Sequence, residues 1–194
     1  MEKFLTFFIP FLIIIIIYTY YKNGSEEVTY VTSDIDNKKY LVQNLPDKKE
    51  ASNMLALVNQ KLNILVKYLS SKYPTDERIK RLNRNYNPDY LMETDSNSSK
   101  YTSYSINKGE KVVLCMRSRN EKKQLEGLNT LLFVALHELS HILTKSIGHT
   151  DEFWDNFKFV LVNAVKTGVY KKQDFNKNPV DYCGTKITDT PLNN

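Results

Sequence analysis

Three histidines occur in the 194-residue chain, and all of them fall between positions 137 and 149. Two frame the pentapeptide His137-Glu138-Leu139-Ser140-His141, an H-E-x-x-H pattern. Four residues carry an α-helix through about 400°, so both imidazoles share one face, about 6 Å apart along the axis. From there both Nε2 atoms can reach one metal ion at about 2.0–2.1 Å. Glu138 follows His137 directly, so its carboxylate points beside the ion and meets a water there without being a ligand. Neutral imidazoles leave zinc a strong Lewis acid, and three protein ligands leave one position for water, whose pKa falls to about 7. Glu138 then takes the proton as that water attacks a carbonyl, and hands it to the leaving amine.

A third ligand is required. His149 follows Gly148, and a glycine's freedom at positive φ lets the chain swing back under the helix. Asp151, Glu152 and Asp155 are rival donors; His149 is the expected one. The surroundings argue for coordination too. Leu131, Leu132, Phe133, Val134, Ala135, Leu136, Leu139, Ile142 and Leu143 enclose the motif. Two imidazoles and a carboxylate without partners there would carry a large desolvation cost, which a metal removes. The expected site is therefore Zn2+ on His137, His141 and His149, with Glu138 as general base.

Hydrophobic spacing predicts the elements that must hold these groups. A long helix over Gln124–Ile147 carries the motif and stops at Gly148. Thr150 caps a second helix, Asp151–Thr167, whose apolar stripe runs from Phe153 and Trp154 to Val165 and which stops at Gly168. Upstream, Pro46-Asp47 opens a helix to about Lys72, with Ala51, Met54, Leu55, Val58, Leu62, Leu65, Val66 and Leu69 at spacings of three and four. Tyr73-Pro74 ends it. A shorter helix over Asp76–Arg84 takes Thr75 as its cap, and Asn85–Ser99 is loop. Tyr101–Asn107 and Glu110–Arg117 flank Lys108-Gly109 as a β-hairpin. Tyr170–Asn194 shows no period and is expected to be irregular. The sum is an α+β domain.

The amino terminus is different. Phe4–Tyr21 is almost wholly hydrocarbon, and its eighteen residues span about 27 Å as a helix, close to a bilayer's apolar thickness. Tyr18, Tyr20 and Tyr21 gather at one end, as aromatic rings do at headgroup level. The expected organisation is a single-pass anchor over 1–22, a polar stalk over 23–46 with short strands at Glu27–Thr32 and Lys39–Val42, and the catalytic domain over 47–194. Lys22, Lys38 and Lys39 tilt the expected orientation towards a cytosolic catalytic domain. The rivals are a secreted zinc hydrolase released from a signal peptide, and a non-catalytic zinc-binding module displayed on a membrane.

Composition excludes wholesale disorder, since charged residues are 25% and apolar residues 41%. The net charge is +5. No Lys/Arg stripe stands out, so no specific nucleic-acid binding is expected. Cys115 and Cys183 form no C-x-x-C pair, and two reduced thiols are preferred over a disulfide.

The stretch HELSHILTKSIGHTDEFW resembles the H-E-x-x-H…H…F/W pattern of the WLM (Wss1-like) and SprT-like zinc metallopeptidases. The resemblance is specific over about residues 110–165. It implies a zincin-like fold, an active-site helix with a small antiparallel sheet, and a protein or peptide substrate. It also implies zinc on His137, His141 and His149, Glu138 as base, and a Phe153 or Trp154 ring packed under the metal. The strand Lys111–Met116 is implied to lie along the cleft and pair with extended substrate. Tyr170 and Tyr182 are the candidate oxyanion stabilisers.

Overall fold

The computed structural model describes residues 10–15, 27–95 and 102–193. The chain is α+β. Among the residues described from 27 onward, seven short strands and four helices run in the order β1 (Val28–Thr32), β2 (Lys39–Gln43), α1 (Lys48–Lys72), α2 (Glu77–Asn85), β3 (Leu91–Glu93), β4 (Tyr104–Ile106), β5 (Lys111–Leu114), α3 (Leu128–Leu143), α4 (Asp151–Lys166), β6 (Val180–Tyr182) and β7 (Thr185–Ile187), then a 3-10 turn at Pro191–Asn193.

The helix α1 follows its expected bounds and buries Leu55, Leu62, Leu65 and Leu69. In α2 the cap is Asp76 rather than Thr75: the Asp76 carboxylate accepts from Arg78 N at 2.8 Å. A charged acceptor outcompetes a hydroxyl at the positive end of a helix. The motif helix α3 is shorter than Gln124–Ile147. Its amino end is trimmed because 124–126 pair with 116–118, through Ser118 N to Gln124 O and Glu126 N to Met116 O. Its carboxyl end stops at Leu143, ahead of Gly148, where three cationic contacts gather. Arg81 Nε donates to Leu143 O at 2.7 Å, and Lys108 Nζ to Thr144 O at 2.9 Å and Ser146 O at 3.2 Å. Cations suit the negative end of a helix. α3 is the central element, with α1, α2, α4, β4 and β5 all packed on it.

The main sheet has the order β3-β5-β4, with β3 parallel and β4 antiparallel to β5, so the sheet expected to be antiparallel is mixed, because an extra strand, β3, follows α1 and α2 and enters parallel to β5. The strand β3 falls in the expected loop Asn85–Ser99. Since β5 is flanked on both sides, its backbone is already paired. The edge strand beside the cleft is β4, which corrects the expectation that Lys111–Met116 would face substrate. The β4–β5 turn needs Gly109: a Cβ there would lie 2.8 Å from both Asn85 O and Ile142 Cδ1, at φ +117°.

Two further segments are more ordered than expected. The short strands expected at Glu27–Thr32 and Lys39–Val42 are present, but rather than belonging to a stalk they pair as the antiparallel hairpin β1–β2, and Tyr40 and Val42 enter the core. A buried guanidinium ties this hairpin down. Arg117 Nε meets Glu93 Oε1 at 2.8 Å and Nη1 meets Asp47 Oδ2 at 2.6 Å, while Gln43 N donates to Glu93 Oε2 at 2.7 Å. The tail, read as irregular, folds back as the hairpin β6–β7. It is held by a Cys115–Cys183 disulfide with Cα atoms 6.3 Å apart, so the expected reduced thiols are in fact bonded. Nothing local announces that pairing, because 68 positions separate the partners. Of the expected anchor at 4–21, only 10–15 is described. It is helical, with Phe11, Ile13 and Ile14 exposed. Among the described residues no helix is long and apolar enough to cross a membrane.

Candidate metal centre

His137 and His141 stand one turn apart on α3, their ring centroids 5.0 Å apart. After Leu143 the chain leaves the helix, passes through Ser146 and turns at Gly148 with φ +83°. His149 is thereby delivered back over the same face. Its Nε2 lies 3.0 Å from Nε2 of His137, and one donor nitrogen from each of the three rings falls within 4.8 Å of the others. Nitrogens on a tetrahedral ion at about 2.0–2.1 Å stand about 3.3 Å apart, close to the His137–His149 separation, and the wider spread of the trio would contract around a bound ion.

The loop that delivers His149 is pinned by Glu152. Its carboxylate accepts Lys145 N at 3.0 Å, Ser146 N at 3.1 Å and the Ser146 hydroxyl at 2.8 Å. These donors hold its pKa down at about 2. Glu152, a rival donor in the sequence, thus acts as the clamp of the loop. Thr150 caps α4, accepting from Phe153 N at 3.4 Å, and so fixes where His149 leaves off. Phe153 is the ring beneath the trio. It stacks on His141 at 4.3 Å and meets His137 at 4.8 Å and His149 at 4.7 Å. Trp154 borders only His149, at 5.8 Å, and is 44% exposed. Asp151 and Asp155 are exposed and take no place in the cluster.

Burial sets the protonation states. It lowers His137 to about 3, helped by the neighbouring His141 and His149, and lowers His141 to about 4, helped by His149 and Lys108. Both imidazoles are therefore neutral near pH 7 and offer lone pairs. Glu138 is buried, and burial pushes its carboxyl up to about 7. Ser105 of β4 opposes that rise by donating both its hydroxyl and its backbone N–H to the carboxylate. Sequence reasoning missed Ser105, because only the sheet brings β4 against α3.

A cleft of about 610 Å³ opens over these groups. β4 forms one side, α3 the floor, and the 146–149 loop and the tail hairpin the remaining walls. Tyr182 lines it, yet its hydroxyl is spent in a closed ring. Cys115 N donates to Ser103 Oγ at 3.0 Å, Ser103 Oγ meets the Tyr182 hydroxyl at 2.7 Å, and that hydroxyl donates to Cys115 O at 2.8 Å. Tyr170 is buried with its ring on Phe133 at 6.0 Å and does not line the cleft. Neither tyrosine is placed as the expected oxyanion donor.

Comparison with known proteins adds to this geometry. A WLM domain is matched over residues 34–192. The chain is similar to the uncharacterised protein R325 of Acanthamoeba polyphaga mimivirus, 33% identical over 183 residues that span 93% of this chain and 92% of the relative. It is similar to uncharacterised protein 042R of Invertebrate iridescent virus 3, 42% identical over 83 residues, 42% of this chain and 48% of the relative. Among solved structures it is similar to the crystal structure of Wss1 from Saccharomyces cerevisiae, with 20% identity, a TM-score of 0.49, and coverage of 66% of this chain and 86% of that one.

Proposed function

The chain belongs to the WLM-domain family, and on that premise we propose that it is a zinc-dependent metallopeptidase acting on extended protein or peptide substrates. The observation that carries this reading is the convergence of three imidazoles, two of them kept neutral by burial, beside a buried carboxylate in an open cleft. His137, His141 and His149 are the residues that would hold the ion. Bound there, zinc supplies Lewis acidity and an acidified water.

The chain's own groups do the rest. A substrate strand lies along β4, the cleft-side strand of the sheet, which presents its scissile amide to the face of α3. Glu138 accepts a proton from the attacking water at a carboxylate oxygen and passes it to the departing amine nitrogen. The C–N bond breaks, and a carboxylate and an amine leave. Ser105 holds the Glu138 carboxylate on the cleft side throughout, while Phe153 and the Glu152 clamp keep the rings in register. A purely structural metal site has no use for Glu138.

Glu138→Gln is the decisive variant. It should retain one zinc per chain and lose peptide cleavage by about 10²–10⁴-fold. Wild type that carries zinc but cleaves nothing in a broad peptide library would favour the display-module reading. Residues 4–21 enter the proposal as a single-span anchor with the catalytic domain on the cytosolic side. Their hydrocarbon composition supports it, as do the exposed Phe11, Ile13 and Ile14. Retention of the full chain in membranes washed with alkaline carbonate is expected, and release into the supernatant would refute it.

A further inference from the structure

We propose that Lys108, at the tip of the β4–β5 turn, is a positioning residue for the third metal ligand: its ammonium holds the 144–146 backbone from the side opposite Glu152 and so fixes where the chain delivers His149. The proposal rests on the zinc site of the peptidase reading and adds a residue to its support.

Between His141 and His149 the chain leaves the helix at Thr144 and forms neither helix nor strand up to His149. Its peptide groups must find partners elsewhere. Two side chains supply them. Lys145 N and Ser146 N donate to the two Glu152 oxygens at 3.0 and 3.1 Å. The carbonyls of Thr144 and Ser146 accept from Lys108 Nζ at 2.9 and 3.2 Å, and the Lys145 carbonyl accepts from the same ammonium. Thr144 O and Lys145 N belong to one peptide group, and Lys145 O and Ser146 N to the next. Neither bond is cis, so each group points its oxygen away from its N–H. Two consecutive peptide dipoles are thus stretched between an ammonium and a carboxylate. Such charge-assisted bonds are about twice as strong as neutral ones, and bonds in a chain polarise one another.

Ordinary capping of α3 does not account for Lys108. Arg81 already serves the last turn, at Leu143 O. Lys108 reaches past the helix to the three carbonyls of the ligand loop. The turn that carries it is shaped for this. Asn107 and Lys108 stand at φ +47° and +53°, ahead of Gly109 at +117°. That backbone suits asparagine and glycine and costs a lysine. Strain of this kind persists where the surroundings fix it. Here Gly109 sits so close to Asn85 O and Ile142 Cδ1 that the turn is seated on α2 and α3. The half-buried Lys108 lines the cleft together with Ser146, Gly148 and His149. The sheet therefore reaches the metal loop through this one ammonium, three residues before His149.

The test is the zinc affinity of the full-length chain, measured by competition with a chromophoric chelator. Lys108→Asn keeps a residue suited to the left-handed turn but is too short to reach the loop. It should weaken zinc binding by about 10–100-fold. The cobalt(II)-loaded variant should show an altered visible absorption spectrum, because the ligand geometry changes. Lys108→Arg should restore most of the affinity, since a guanidinium donates to the same carbonyls. A role in folding alone would lower the melting temperature and leave zinc affinity and the cobalt spectrum at their native values. Glu152→Gln should also weaken zinc. The double variant should lose less than the product of the two single losses, because both side chains act through the same peptide groups. If Lys108→Asn does not fold, Lys108→Met makes the same prediction. Native zinc affinity and cobalt spectrum without the ammonium would overturn the proposal, as would losses that simply multiply in the double variant. A chain that binds zinc with this dependence on Lys108 yet cleaves no peptide would support the proposal and refute the peptidase reading. A wild-type chain that takes up no zinc would overturn both.

Discussion

The two sides of the cleft are built on different scales. The metal side is local: His137, His141, His149, Glu152 and Phe153 lie within seventeen consecutive residues. One helix turn, one glycine bend and one capped helix start bring them together. The substrate side is assembled at long range from β4, the end of β5 and the tail. Ser103, Cys115, Tyr182 and Cys183 are joined by hydrogen bonds and a disulfide across separations of up to 79 positions. The difference teaches that, on the proposed reading, chemistry and substrate access are separable: the local side would hold the ion, and, Lys108 apart, the distant side shapes the cleft above it.

Variants should respect that division. The largest effect belongs to the metal side. His149→Ala should strip zinc and cleavage together, leaving roughly 0.1% of native activity or less, because the ion supplies the nucleophile. Mass spectrometry under native conditions and a peptide assay read both. Zinc retained at full stoichiometry would break the comparison. The next largest lies on the far side. Replacing Cys115 and Cys183 together by Ala should lower stability by about 2–4 kcal/mol in denaturant titration while zinc stays bound. Loss of zinc from that pair of substitutions would mean that the two sides are not separable.

A pH titration of the zinc-depleted protein sharpens the comparison further. His137 and His141 titrate at about 3 and 4 in the fold, below their ordinary 6.5. Between those values the unfolded chain binds more protons, so stability is lost as pH falls from about 6.5 towards 4. Glu138 has the opposite sign. Its pKa is raised to about 7, so it costs stability as pH rises from about 4.5 to 7. Two histidines outweigh one glutamate where the windows overlap. The melting temperature should therefore rise with pH across about 4.5–6.5, and Glu138→Gln should steepen the rise. A flat profile in both proteins would contradict the buried, neutral state of the rings.

What could be read in the sequence follows the same line. The H-E-x-x-H spacing, the glycine bend before His149 and the Thr150 cap are local signals, and the structure gathers their residues in one cluster. The long helix Lys48–Lys72 was equally legible from its apolar spacing. What could not be read depends on partners far along the chain. β4 takes the cleft edge because β3 claims the other side of β5. The ends of α3 are set by 116–118 pairing with 124–126 and by Arg81 and Lys108 at its carboxyl terminus, not by its own apolar run. The two strands of residues 28–43 were legible, but not their docking, which depends on Arg117 and Glu93 far along the chain. The Cys115–Cys183 bond needs the tail to fold back first.

The most direct measurement is zinc K-edge X-ray absorption on the purified, zinc-loaded chain. The account predicts a four-coordinate ion with three imidazole nitrogens at about 2.0–2.1 Å and one further oxygen. His149→Ala should show the loss of one imidazole from any residual spectrum. A first shell containing sulfur, or fewer than three imidazoles in the wild type, would contradict the assignment of His137, His141 and His149.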